Sequence, residues 1–318
     1  MAALLGVALR LLVIVLLPLE RLPPDWDARV LTDEAHTLLA GGNIYQLYTP
    51  AAYPPLIHHL IACAVGLGLD MRLLSTAADA GITLLLLRRE KTAGWLYALS
   101  PVSLIVTSVI GNVDSIAALG LVAGLWWPWA LGLGAAIKIW PAFYFPFVDR
   151  RHWWGVIFLV GAMAWALMTP GYRGLGYMSQ QYQLGWGYSF FLLLLRRAGL
   201  QVDASRLAPY LFLAGLLATA WATRKRLGME RWTAGALALP VFMGHWGVNY
   251  GLWSLPVLLL AHKYDWVVLY SVWAVLHLAA MVLQADRWFV CSTLVAFATW
   301  LLALRHYVQH LFRSPAPT

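Results

Sequence analysis

Apolar residues recur along this chain in runs long enough to cross a bilayer, and that recurrence limits what it can fold into more than any motif does. A spanning helix needs about 20 residues. In hydrocarbon every backbone N–H and C=O must be satisfied within the segment, so such runs are helices. The runs fall at 2–19, 54–69, 72–88, 93–110, 113–127, 129–148, 153–169, 188–195, 207–223, 232–246, 248–262, 265–284 and 287–304. The run at 188–195 is too short to span unaided and reads as part of a re-entrant piece. The expectation is an all-α polytopic membrane protein with about ten to twelve spans, in a single integral membrane domain over residues 1–318 and with no soluble domain. Only 11% of residues are charged, against about 25% in soluble domains, which sets aside one very large soluble core.

The first run is expected to stay as a transmembrane helix. Its basic residue, Arg10, lies inside the run and not before it, and Glu20-Arg21-Leu22-Pro23-Pro24 makes a poor signal-peptide cleavage site. Cys63 and Cys291 both lie in apolar runs, with no spacing that suggests a disulfide framework or a zinc site. The net charge of +8 is spread over short junctions: Arg88-Arg89-Glu90-Lys91, Asp149-Arg150-Arg151-His152 and Arg224-Lys225-Arg226. Loops facing anionic cytoplasmic headgroups have this character. Nucleic acid would want one basic stripe with interleaved aromatics, so it is not an expected partner; membrane lipids are. Simple alternation through all the runs cannot put all three basic junctions in the cytoplasm, so at least one run is re-entrant or interfacial. The segments 54–69 and 113–148 are the suspects. Trp126, Trp127, Trp129, Trp153 and Trp154 stand at run ends, as an aromatic belt would.

Two segments are too long to be junctions: 20–53 and 170–187. The first holds Glu20, Asp25, Asp27, Asp33 and Glu34, five of the fourteen acids. Within it, Val30 to Ala40 has helical spacing, with Leu31, Ala35, Leu38 and Leu39 on one face and Gly41-Gly42 as the stop; a short amphipathic helix along the membrane surface fits. Asp25-Trp26-Asp27 are two carboxylates two residues apart. These can converge on one hydroxyl as a base, or on one hard cation; the plain alternative is an external loop that carries acids. Elsewhere Asn112 and Asp114 sit at a helix junction, Lys138 in an apolar run, and Asp79 inside another. Ionisable groups at such depth are costly and are functional candidates by default. Against that stand snorkelling for Lys138, a bonded buried acid for Asp79 and a helix-start role for Asp114. In the second loop Tyr172, Arg173, Gln180, Gln181 and Tyr182 offer the rings and hydrogen bonds that suit sugars, or form an ordinary interface loop. His245 and Asn249 are four apart and share a helical face if helical; a packed histidine is the alternative.

Taken in order, Asp25-Trp26-Asp27, Asp33-Glu34-Ala35, Gly42-Asn43-Ile44-Tyr45, Tyr53-Pro54-Pro55-Leu56, "RLLSTAADAGITLLL", "GNVDSI", "KIWPAFYFPF" and "NYGLWSLPVLLL" resemble the GT-C superfamily of membrane glycosyltransferases. The nearest likeness is to the dolichyl-phosphate-mannose-dependent enzymes that add the first mannose in GPI-anchor assembly (GPI mannosyltransferase I). This chain departs from that family in carrying the extra acid Glu34 and in being shorter than the eukaryotic enzymes, and the shorter length points to a bacterial or archaeal relative acting on another glycan.

The resemblance implies a GT-C-type bundle with a catalytic first extracytoplasmic loop. The membrane would be the plasma membrane of a bacterium or archaeon, or the endoplasmic reticulum of a eukaryote. It implies a polyprenyl-phosphate sugar as donor lipid, with mannose the expected sugar, and a glycan or glycolipid acceptor. Asp25 or Asp27 would be the general base of an inverting transfer. Asp33, Tyr53, Asn112, Asp114, Lys138, Arg173, Gln181, His245 and Asn249 would line the substrates, with Lys138 and Arg173 toward the leaving phosphate. No cofactor is required, and the Asp25/Asp27 spacing permits Mg2+ or Mn2+. A transporter or flippase of a sugar or lipid-linked sugar is the alternative, since it too places lone acids and lysines in membrane helices.

Overall fold

The computed structural model describes residues 1–24, 26–47, 53–172, 199, 204–243, 248–284 and 286–312. Among the described residues the chain is all-helical, with no strand. It forms two compact units: residues 1–142 with 150–178, and residues 143–149 with 179–318.

The first unit opens with α1 (Ala2–Leu16) and α2 (Asp27–Leu39). Next come one helical turn, α3 (Ile44–Leu47), then α4 (Pro55–Gly66) and α5 (Arg72–Arg89). Pro55 starts α4 where its missing N–H costs nothing. A pair follows, α6 (Lys91–Ala98) and α7 (Pro101–Leu104), the latter continuing as a wider π-helical segment, Ile105–Ile110. The run expected as one span at 93–110 is bent here by 42°; Pro101 cannot donate to the preceding turn, so the helix restarts. Then come α8 (Asp114–Ala123), α9 (Ala130–Ile137) and α10 (Val156–Met168). The runs expected at 113–127 and 129–148 are therefore short helices. Ten residues of α8 rise only about 15 Å, half of a hydrocarbon core. α8 and α9 pack as a close pair, and a Cβ on Gly120 would lie 2.5 Å from Gly134 Cα.

The second unit comprises α11 (Ala204–Ala222), α12 (Met229–Phe242), α13 (Gly251–Leu260), α14 (Tyr264–Leu283) and α15 (Asp286–Phe312). α13 is buried along its whole length, and the Tyr144 hydroxyl donates to the Trp253 carbonyl at 2.7 Å. α15 runs eight residues past the expected end at 304. Two helices are long and apolar enough to cross a membrane, Tyr264–Leu283 and Val290–Phe312; the bent α6–α7 pair makes a third if it is one span. α14 turns Val268, Val272, Val275 and Val282 outward, a lipid-compatible face at helical spacing.

α2 begins three residues before the expected start. Leu31 and Ala35 of the expected apolar face are buried, but Leu39 is exposed, and Glu34 takes an inward place. The stop is as read: Gly41 adopts φ +78°, and the Gly42 N–H closes on the Thr37 carbonyl at 2.9 Å. Asp79 is the bonded buried acid. It accepts from Arg10 Nε (2.7 Å), the Tyr97 hydroxyl (2.6 Å) and the Thr107 hydroxyl (2.7 Å). The arginine inside the first run is thus a partner for an acid on α5.

Candidate functional site

In the first unit, residues from four separate stretches of sequence meet around the side chain of Asn112. Their meeting depends on the turn between the π-helical segment and α8. The Asn112 N–H donates back to the Val106 carbonyl at 2.9 Å, and the Ser75 hydroxyl donates to the Asn112 carbonyl at 3.1 Å. Gly111 makes the turn with φ +75°, a left-handed conformation that glycine alone adopts cheaply. It is also where α2 touches down: a Cβ at Gly111 would lie 2.3 Å from Ala28 Cβ and 2.9 Å from Ala28 Cα. The neighbour of Ala28 is Asp27. Gly111→Ala is therefore expected to cost roughly 1–3 kcal/mol through strain and overpacking. It should also push the start of α2 off the turn. Thermal melting of the purified variant checks the first effect, and the activity assay below checks the second.

Asn112 joins three charged groups. Its Nδ2 donates to Asp27 Oδ2 at 2.5 Å. Its Oδ1 accepts from the Asp114 N–H at 2.9 Å and from Lys138 Nζ at 3.2 Å. Lys138 Nζ also lies 2.9 Å from Asp114 Oδ1, which accepts from Trp140 Nε1 at 2.9 Å. The Tyr53 ring faces the same ammonium, its centroid 4.8 Å away. Asp27 and Asp114 each stand in the first turn of a helix, where the helix dipole favours a carboxylate. Lys138 follows the last residue of α9 in extended backbone, which swings its side chain across to the α8 turn.

Asp114 is fully buried, whereas the Lys138 side chain keeps 13% of its surface, so the ammonium forms the open side of the ion pair. Burial pushes the Asp27 carboxyl above the ordinary aspartate range. Lys138 draws it back, Asp114 raises it, the Asn112 amide lowers it and Glu34 raises it slightly. A carboxylate poised in this way holds or takes a proton nearer to neutral pH than a solvated one.

A second pair lies two helical turns along α2. Glu34 and His58 of α4 are both buried, with Glu34 Oε2 3.2 Å from His58 Nδ1. Tyr45 stands edge-on to the imidazole with centroids 5.7 Å apart, and Tyr53 lies tilted at 6.0 Å. The Tyr45 hydroxyl donates to the Tyr53 carbonyl at 3.0 Å, and burial pushes its pKa above the ordinary tyrosine value. Tyr172 packs edge-on against Tyr45 at 5.2 Å. The Asn43 amide donates to the Pro170 carbonyl at 2.8 Å, so the two long loops meet here.

Of the residues singled out from sequence, the structure gathers Asp27, Tyr53, Asn112, Asp114 and Lys138. Asp33 is exposed on α2. Asn249 is half-buried in the second unit, in a short turn before α13. Asp25, Arg173, Gln181 and His245 lie outside the described residues. Sequence reasoning passed over Glu34, His58, Tyr45 and Trp140 as site residues. For Glu34 a signal existed: Asp27, Leu31 and Glu34 are spaced to share one face of a helix. Among the described residues no three of His, Cys, Asp and Glu come together in a way that could hold a metal ion.

The cluster offers a carboxylate with a raised proton affinity, an ammonium beside it and an aromatic wall, held by an amide. That is enough for proton abstraction and for stabilising a developing negative charge. No family model matches this chain, and none of the curated proteins compared with it matches either.

Proposed function

We propose that this chain is a polytopic membrane glycosyltransferase of the inverting type. It moves a sugar, mannose by the resemblance above, from a polyprenyl phosphate to a hydroxyl of a glycan or glycolipid at the extracytoplasmic face. The observation that carries the reading is the meeting of Asp27, Asn112 and Lys138 from three distant stretches, with an acid and a cation on the two ends of one amide. Outward apolar faces on α14 and α15 support the membrane setting.

The chemistry follows from the arrangement. Asp27 takes the proton of the acceptor hydroxyl as its oxygen attacks the anomeric carbon. The bond from that carbon to the phosphate oxygen breaks on the opposite face, and its electron pair leaves with the phosphate. The phosphate gains charge as it departs, and Lys138 can exchange its Tyr53 ring contact for a phosphate oxygen. A sugar hydroxyl is a very weak acid, so the base acts only as the new bond forms, and positioning contributes more than basicity.

The test is purified protein in detergent with polyprenyl-phosphate-mannose and a glycan acceptor, with and without EDTA, following polyprenyl phosphate release and acceptor mass. Release that depends on Asp27 supports the reading. Its absence, or sugar flux across vesicles that survives Asp27→Asn, counts against it. In the same assay kcat/KM is expected to rise with pH through a limb lying above the ordinary carboxylate range, because the raised proton affinity of Asp27 must be overcome before it can act as a base. The limb should disappear in Asp27→Asn.

A further inference from the structure

The proposed transfer does not use the buried Glu34–His58 pair, and its environment points to a ligand. Glu34 is 3% and His58 2% exposed, 3.2 Å apart. His58 Nε2 has no hydrogen-bond partner among the described residues. A buried polar atom of this kind calls for an explanation, and one explanation is a ligand that completes it. Tyr45 and Tyr53 wall the imidazole on two sides. The Tyr53 ring is shared: it also faces the Lys138 ammonium of the transfer cluster. Asp27 and Glu34 lie on one face of α2, two turns apart, a rise of about 10 Å.

Charge narrows the ligand. With Glu34 ionised, the pair is neutral when His58 is protonated and negative when it is not. Phosphate finds no net positive charge here and belongs at Lys138. A hydroxyl both donates and accepts, so it satisfies His58 Nε2 in either protonation state, and aromatic walls suit the C–H faces of a sugar ring. We infer that Glu34 and His58, with Tyr45 and Tyr53, form a subsite for a neutral hexose ring adjoining the transfer cluster. The inference rests on the transfer reading for the identity of the ligand as a sugar. The ring could belong to the donor or to the acceptor.

Saturation-transfer NMR on the full-length protein, with millimolar methyl α-mannoside and methyl α-glucoside as probes, tests it without any turnover. The expected result is a signal from at least one probe in the wild type, reduced about fivefold or more in His58→Leu and in Glu34→Gln. It should be unchanged in Glu20→Gln, which alters an exposed acid between α1 and α2. No signal in the wild type, or equal signals in folded variants, overturns the subsite. If His58→Leu does not fold, Glu34→Gln carries the test. Adding polyprenyl-phosphate-mannose assigns the source: displacement of the probe marks the donor ring, and persistence marks the acceptor ring. A His58-dependent signal in a protein that releases no polyprenyl phosphate sinks the transfer reading and leaves the subsite standing.

Discussion

Asp27→Asn is expected to lower the proposed sugar transfer by about 10²–10⁴-fold, the range a positioned general base contributes, and to leave the protein as stable as the wild type or more so. The two effects have one origin. The carboxyl is held above the ordinary aspartate range mainly by burial, so its ionised form is disfavoured in the folded state. A group whose proton affinity is raised by folding stabilises the protein most at low pH. Stability then falls as pH rises from the ordinary aspartate value through the native one, because the folded state must give up a proton it binds more tightly than the unfolded chain does. Above the ordinary aspartate range the folded protein therefore bears a cost, either of ionising Asp27 or of keeping its proton. An asparagine removes that cost and can still accept from Asn112 Nδ2 through its own carbonyl. Transfer rate and thermal midpoint measured on the same preparation check the pair of outcomes. A variant that keeps its rate, or one that melts well below the wild type, contradicts the assignment of Asp27 as a base carried at the expense of stability.

The sequence showed parts of this site because its residues are out of place in an oily chain. Asn112, Asp114 and Lys138 stood out as polar groups at or within apolar runs, and the structure brings all three to Asp27. Their partnership was not legible, since it depends on a left-handed glycine and a close backbone approach at Gly111. The Asp33-Glu34 step was read through its first acid. Helical phase decides otherwise: Asp33 points to solvent and Glu34 inward to His58. A helix counted from Asp27 instead of Val30 would have made the same choice. The long apolar runs predicted helices correctly, yet several are divided by features that average hydropathy ignores. Pro101 divides one, and the extended backbone at Lys138 ends α9 inside the run read at 129–148.

Asp79→Ala is the converse case, with a large loss of stability and little loss of rate per folded molecule. Asp79 is 1% exposed and lies against Arg10, which is equally buried. The guanidinium is otherwise held by the Gly6 and Ala98 carbonyls, at 2.9 and 3.0 Å, and by the Ser103 hydroxyl. Tyr97 and Thr107 both donate to the same carboxylate. Removing it strands an arginine charge and two hydroxyls away from water. Breaking a buried pair from one side costs about 3–5 kcal/mol, which lowers the thermal midpoint. The two ends of the pair are also coupled. Arg10→Met with Asp79→Leu should cost less than the sum of the single changes, because neither charge is left alone. Some loss should remain, since Tyr97, Thr107 and Ser103 still lack the groups they bonded. Melting curves of the two single variants and the double variant give the coupling directly. Additive losses would mean that Arg10 and Asp79 act separately. A folded Asp79→Ala protein that has lost transfer as completely as Asp27→Asn would move the second acid from scaffold to reaction centre.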